Sequence, residues 1–292
     1  MKPFLRWPGG KRWLSSIITE IIGNFEGSYI EPFLGSGAVL FDLEPSKGCL
    51  SDINKKLIDL YRQIRDDPHA FLREMNKHQR NHCFDYYYIE RDRKRRLRRT
   101  QTAQFLYLNR TCFNGIYRVN KSGKFNVPIG TTRDVLRPEE DFTEISKFLQ
   151  NFELEACDFE EQVDKARSGD VLYVDPPYTV KHNNNGFLTY NETLFTWADQ
   201  KRLAASLMRA RKRGVKIILS NGNHPSILEL YNDDWVINVC RRNSVMAGLA
   251  YGRGMTTELL ITSEPLAQSQ KLSLVASDFN QLDLDLNTNP TD

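Results

Sequence analysis

Four consecutive apolar residues, Val171-Leu172-Tyr173-Val174, run straight into Asp175-Pro176-Pro177-Tyr178. A short apolar run behind the turn signal Gly169-Asp170 reads as a buried strand. Each proline pushes the residue before it out of helical geometry, so the chain must leave that strand extended and stiff. An Asp carboxylate, backbone carbonyls and an aromatic ring are thereby held in a fixed array at a strand's C-terminal end, where ligands bind in open α/β sheets. Two acceptors beside a ring suit a planar base carrying an exocyclic amine. Asp175 and a carbonyl would take the two N–H bonds, and Tyr178 would cover the ring face. The plainer reading is a stiff connection after a strand, and four residues alone do not choose between the two.

The segments before it are of the same kind. Trp7-Pro8-Gly9-Gly10-Lys11 is a tight loop ahead of a helix expected near Arg12–Ile22, where exposed N–H groups and the Lys11 ammonium could meet an anion. It lacks the spacing of a P-loop, and a turn with a solvated lysine explains it equally well. Ser28-Tyr29-Ile30 is strand-like and leads into Glu31-Pro32-Phe33-Leu34-Gly35-Ser36-Gly37, a nucleotide-binding type of βα turn without the third glycine of the dinucleotide fingerprint. A second strand, Cys49–Ser51, ends in Asp52, placed to accept ribose hydroxyls or to cap the helix that follows. Phe152–Phe159 is a further strand ending in Asp158-Phe159. Asp158 could accept from an adenine amine and Phe159 stack on its ring, unless Phe159 is a core residue beside a helix cap.

Between these pieces the texture changes. Residues 56–140 read as mostly helical, and they carry the basic run Arg91–Arg99 and the polar, aromatic segment Asn109–Asn120. A charge run is usually a solvated helix face. Arginine, asparagine and aromatic side chains interleaved on loops can serve phosphates, base edges and unstacked bases. The expected organisation is a discontinuous core, residues 1–55 and 141–264, with a target-recognition insertion at 56–140 and a disordered tail at 265–292. Further on, residues 182–186 are expected to form a mobile loop, with 187–190 able to close over a substrate. A helix is expected at Asp199–Arg213 and strands at 215–221, 235–240 and 257–262, with a Gly-rich loop at 241–254.

With 292 residues, 40% of them apolar, the chain can bury a sizeable core. The formal charge of +3 permits a polyanionic partner without demanding one. Five scattered cysteines without a Cys-x-x-Cys pair argue against a zinc site or a disulfide framework and for a reducing cytosol. No signal peptide and no membrane span is expected.

These motifs stand in the order of one family. The chain resembles the α-group DNA adenine-N6 methyltransferases, in particular the DNA adenine methylases that modify GATC. The resemblance rests on Trp7-x-Gly9-Gly10-Lys11, Glu31-Pro32-Phe33-x-Gly35-x-Gly37, Asp52-Ile53-Asn54, Asn109-Arg110, Asn114-Gly115, Phe125-Asn126-Val127-Pro128, Asp175–Tyr178, Ser220-Asn221 and Arg241-Arg242. It implies a Rossmann-like, mostly parallel sheet with an antiparallel strand near its end, and S-adenosylmethionine as methyl donor. It implies donor contacts from Trp7, Gly10, Lys11, Glu31, Phe33, Gly35, Ser36, Gly37, Asp52, Asp158, Phe159 and Asp175. Asp175, Pro176, Pro177 and Tyr178 would hold the target adenine, flipped out of double-stranded DNA. Arg118 falls where the family reads a guanine, Phe113 where it wedges into the base stack, and Arg6 in place of a family lysine. Asn109, Arg110, Asn114, Asn120 and Pro128 complete the implied DNA face. A monomeric, cytoplasmic, metal-free enzyme is expected. The rivals are a cytosine-N4 or RNA-adenine methyltransferase, which the inserted segment disfavours, and a DNA-binding module without catalysis, which the intact quartet disfavours.

Overall fold

Strands of a parallel sheet are buried on both faces and therefore read as unbroken apolar runs. The run at 171–174 obeys this, with all four residues buried. A computed structural model describes residues 1–115, 118, 124–181, 195–231, 234–243 and 255–274. Among them seven strands form one sheet: β1 (Tyr29–Glu31), β2 (Gly48–Ser51), β3 (Phe152–Glu155), β4 (Val171–Val174), β5 (Lys216–Gly222), β6 (Val236–Asn243) and β7 (Met255–Thr262). Their order is β3-β2-β1-β4-β5-β7-β6. The pairings β2–β3, β1–β4 and β4–β5 are parallel, and β7 runs antiparallel to both β5 and β6. This is the mixed α/β, Rossmann-like architecture expected. The chain divides into two compact units, Met1–Ser16 with Leu34–Asp158, and Ile17–Phe33 with Phe159–Asp292.

The first unit holds β2, β3 and the helices α2 (Ala38–Leu43), α3 (Lys55–Asp66), α4 (Pro68–Asn81), α5 (Phe84–Asp92), α6 (Arg98–Thr111) and α7 (Phe142–Leu149). Their boundaries are written in local chemistry. The Asn54 side chain accepts from the N–H groups of Lys56 and Leu57, Asp67 caps α4 ahead of Pro68, and Asp141 caps α7. From α3, Leu57, Ile58, Leu60, Tyr61 and Ile64 are buried at helical spacing. Rings from distant segments meet in this core: Phe4 lies 5.1 Å from Tyr61 and 5.8 Å from Phe142. The edge strand β3 is blunted by α3, whose Arg62 donates to the Leu154 carbonyl at 3.0 Å and whose Arg65 donates to that of Phe152 at 3.1 Å.

The second unit holds the other five strands with α8 (Phe159–Lys165), α9 (Trp197–Lys212) and α10 (Pro225–Leu230). Its core joins Leu172 and Val174 of β4 to Ile217 and Leu219 of β5, with Leu203 and Leu207 of α9 and Leu259 and Ile261 of β7. A Thr196/Asp199 capping box starts α9 at Trp197, ahead of the expected Asp199.

Three further boundaries differ from expectation by three residues or more. The first helix, α1 (Ser15–Ile22), begins three residues later than Arg12. Strand β6 continues through Arg241–Asn243, expected to open a loop, because β7 offers these residues backbone partners as far as Met255. Residues 268–274, expected to lack regular structure, are helical, with Leu266 and Leu274 buried and Gln270 donating to the Glu20 carbonyl at 3.1 Å. The expected mobile loop at 182–186, the segment 187–190 and most of the Gly-rich loop lie outside the described residues.

Candidate functional site

In the second unit β4 ends at Val174 and delivers Asp175-Pro176-Pro177-Tyr178, with Pro176 buried and the other three partly exposed. Two fully buried amides brace this turn. Gln200 of α9 donates to the Pro177 carbonyl at 3.5 Å, and Asn221 of β5 donates to Gln200 Oε1 at 3.3 Å. Thr179 donates to the Phe195 carbonyl at 2.7 Å. The Tyr178 hydroxyl donates to Glu258 Oε2 at 2.8 Å. Burial, and then the charges of Asp175 and Glu258, push the Tyr178 phenol well above its ordinary pKa, so it stays protonated and keeps donating. Neither Gln200 nor Glu258 was singled out in the sequence. The one signal for Glu258 was an acid inside the otherwise uncharged strand 257–262.

Two other expected site residues of this unit are buried. Glu31, at the end of β1, accepts from the Tyr29 hydroxyl at 3.0 Å. Phe159 is a core residue: its ring stacks on Phe33 at 5.4 Å, and the Arg202 guanidinium lies 4.5 Å from its centroid. The core alternative weighed for Phe159 is the one its burial favours, because those faces are already engaged within the unit. Phe33 itself stays partly exposed.

In the first unit the turn after β1 is built on close approach. Gly35 has φ 49°, and a Cβ there would stand 2.8 Å from Trp7 Cδ1, so only glycine lets the indole lie against this loop. Gly37 precedes α2, also with positive φ, and Ser36 is buried. Asp52 closes the loop from the end of β2: its carboxylate accepts the Gly35 N–H at 3.1 Å and the Asn54 N–H at 2.9 Å. Burial raises its pKa from 3.8 to about 6, against the opposing pull of those two donors. The capping role weighed for Asp52 belongs to Asn54. Lys11 is buried, its ammonium 2.8 Å from the Gly9 carbonyl, and Gly10 N–H donates to the Trp7 carbonyl at 3.1 Å. Asp158 is partly exposed at the end of the segment that follows β3.

The same unit carries an aromatic and basic face. Past α6 the chain makes one 3₁₀ turn, Phe113–Gly115, with Phe113 52% exposed and Asn114 left-handed at φ 53°. The turn is pinned by Phe113 N–H to the Pro128 carbonyl at 2.9 Å. Arg6 packs on Gly115, where a Cβ would meet Arg6 Cδ at 2.5 Å. Arg118 is exposed, and Asn120 lies outside the described residues. Asn109 and Arg110, expected on this face, are instead buried. Asn109 clamps the Arg6 backbone, accepting its N–H at 3.0 Å and donating to its carbonyl at 2.7 Å. Arg110 donates to the Phe4 carbonyl at 2.9 Å, the Val135 carbonyl at 2.6 Å and Glu140 at 2.5 Å. Buried and turned to internal acceptors, the two side chains are out of reach of an outside phosphate, contrary to expectation.

A family model for the D12 class N6 adenine-specific DNA methyltransferases matches residues 7–246. The chain belongs to this family. It is 34% identical over 274 residues to the "Type II methyltransferase M1.LlaDCHI" of Lactococcus lactis subsp. cremoris, covering 90% of this chain and 95% of the relative. It is 36% identical over 244 residues to the "Type II methyltransferase M.MjaIII" of Methanocaldococcus jannaschii, covering 76% and 84%. It is 30% identical over 282 residues to a "DNA adenine methylase" of Vibrio cholerae, covering 92% and 98%.

In this D12-class methyltransferase the basic run is largely neutralised from within. Arg95 makes a two-pronged bond to the fully buried Glu90 at 2.7 Å, Arg98 meets Asp66 at 2.6 Å, and Arg99 approaches Glu74 at 3.7 Å. Among the described residues of the methyltransferase, one thiol and two carboxylates, from Cys49, Glu153 and Glu155, bring ligand atoms within 4.8 Å of one another, a grouping common on surfaces without an ion. No described helix is long and apolar enough to cross a membrane.

Proposed function

We propose that this protein transfers a methyl group from S-adenosylmethionine to the N6 amine of an adenine flipped out of double-stranded DNA, within GATC. The observation that carries the reading is the Asp175–Tyr178 turn at the end of β4, its Pro177 carbonyl braced by Gln200 and its ring tethered to Glu258. An adenine amine is a weak nucleophile because its lone pair is delocalised into the ring. Hydrogen bonds from that amine to the Asp175 carboxylate and the Pro176 carbonyl favour a tetrahedral nitrogen and free the lone pair, so the gain is positional and electrostatic. Tyr178 offsets part of the few kcal/mol lost on flipping by stacking on the base.

The donor set fits S-adenosylmethionine by its chemistry. Asp52 is an acceptor for ribose hydroxyls, the glycine loop leaves backbone open to close approach, and Lys11 offers charge for a carboxylate. Bound S-adenosylmethionine supplies an electrophilic methyl group. The segment 56–140 is assigned to DNA recognition, with Arg6, Phe113, Asn114 and Arg118 as its contacting residues. The GATC assignment rests on the family resemblance and on an exposed arginine at the guanine-reading position.

The deciding experiment expresses the chain in a methylase-free host and maps modified bases on plasmid DNA, with labelled-methyl transfer to duplex DNA and to RNA in vitro. N6-methyladenine confined to GATC is expected. Methylation in another sequence would sink the GATC assignment, and label in cytosine or RNA would sink the reading as a whole.

A further inference from the structure

Tyr178 is held at two points, and both belong to one rung of the sheet. Its hydroxyl donates to Glu258 Oε2 at 2.8 Å. Its ring lies over Gly222, where a Cβ would stand 3.6–3.7 Å from Tyr178 Cβ, Cγ and Cδ2, ordinary van der Waals contact. Gly222 and Glu258 are direct partners in the antiparallel β5–β7 ladder. One cross-strand pair therefore offers a floor under the ring and an acceptor for its tip. The acceptor is a carboxylate, giving the stronger, charge-assisted kind of bond. β4, which delivers the tyrosine, pairs with β5 on the other side, so ring, floor and tether share one rigid frame.

We propose that Glu258 is a positioning residue that fixes the plane of the Tyr178 ring on which the target base stacks. The inference rests on the function proposed above. A tyrosine held only at its Cα can swing about two side-chain torsions, and a ring tilted away from the base gives up its stacking. The tether removes that freedom before the base arrives. Glu258 touches neither base nor donor in this assignment and acts through Tyr178.

Single-turnover methylation of duplex DNA tests it, beside donor titration and the fluorescence of 2-aminopurine placed at the target position. Glu258→Ala is expected to slow methyl transfer by about 10²-fold, the scale of a misplaced reacting group. Its donor dissociation constant should stay within about twofold of wild type, a loss in rate and not in binding. The 2-aminopurine signal on flipping should change as stacking is lost. Glu258→Gln, whose amide oxygen still accepts, should retain most of the rate. Adding Glu258→Ala to Tyr178→Phe should cost nothing beyond Tyr178→Phe alone, because the tether is already gone. Additive losses, an equal loss in Glu258→Gln, or an unaltered rate in Glu258→Ala would overturn the proposal. Should Glu258→Ala fail to fold, Tyr178→Phe decides, and a wild-type rate there overturns it. A wild-type chain that methylates no adenine defeats the functional reading itself, a different result from normal methylation by the variant.

Discussion

Under the proposed function, Asp52 is a carboxylate that would serve the donor while working against the fold. Its folded pKa of about 6 lies above the ordinary 3.8 because burial outweighs two backbone donors. Between those values the folded chain binds the extra proton, so this group's contribution to stability falls as pH rises through the window and stays lost above it. The difference corresponds to on the order of 3 kcal/mol. The melting temperature of the ligand-free protein should therefore depend less on pH between 5 and 8 in Asp52→Asn than in the wild type, whatever the offset from an amide NH2 that now faces one backbone N–H. The same variant should bind S-adenosylmethionine more weakly, since each lost charge-assisted hydrogen bond to ribose is worth roughly 1.5–3 kcal/mol. In the wild type, donor affinity should fall up to about tenfold per pH unit below 6 as Asp52 protonates. Calorimetry across pH 5–8 checks both, and a flat profile would remove Asp52 from the donor site. Asp175 makes the complementary case. Asp175→Ala should keep donor binding within a modest factor of wild type, since its part in the donor site is secondary, and abolish methyl transfer in single turnover, and rapid transfer by the variant would end its assignment to the amine.

At the scale of the element, the exposed 3₁₀ turn and Arg118 should behave differently from the basic run, which spans the end of α5, the connection at 93–97 and the start of α6. Arg118→Ala is expected to narrow the preference for GATC over sites altered at the guanine, by about 1–3 kcal/mol for a lost bidentate base contact. Arg96→Ala, if the run meets DNA, should weaken every sequence alike and reduce the salt slope by about one. Methylation rates on GATC and its single-base variants at two salt concentrations separate the patterns. A uniform drop for Arg118→Ala would leave it only a phosphate role. The extended exit of the chain at 175–178 was legible in the sequence because its backbone course is set locally, by an apolar run before it and two prolines within it, while its braces are not. The glycine loop and Asp52 were legible for the same reason. Glu258 was not, since its partner lies 80 residues away and an acid on a strand carries no sign of what it will meet. Asn109 and Arg110 read as DNA ligands because a polar pair beside a loop looks the same whether it turns outward or inward. Only burial tells them apart, and burial is decided by Phe4, Val135 and Glu140 from elsewhere in the chain.

At the scale of the whole molecule, Arg110 is where distant stretches of the first unit are joined. Burial lowers its pKa to about 10, with Glu140 pulling the other way, so it remains charged at neutral pH and depends on that partner. Glu140→Gln should cost about 3–5 kcal/mol of stability, the penalty for stranding a buried charge, read as a lower urea midpoint with an unchanged slope. An unchanged midpoint would mean that the carbonyls of Phe4 and Val135 suffice. The same joint has a consequence for how the chain is made. Phe4 and Arg6 are gripped by residues 106 and 103 positions downstream, so these two clamps cannot close until α6 has left the ribosome. At roughly 5–20 residues per second that is a wait of several seconds. Throughout it the backbone of Phe4 and Arg6 lacks these partners, although Phe41 and Tyr61 are already there for the Phe4 ring. Closure of this part of the core is thus a late event in the synthesis of the unit.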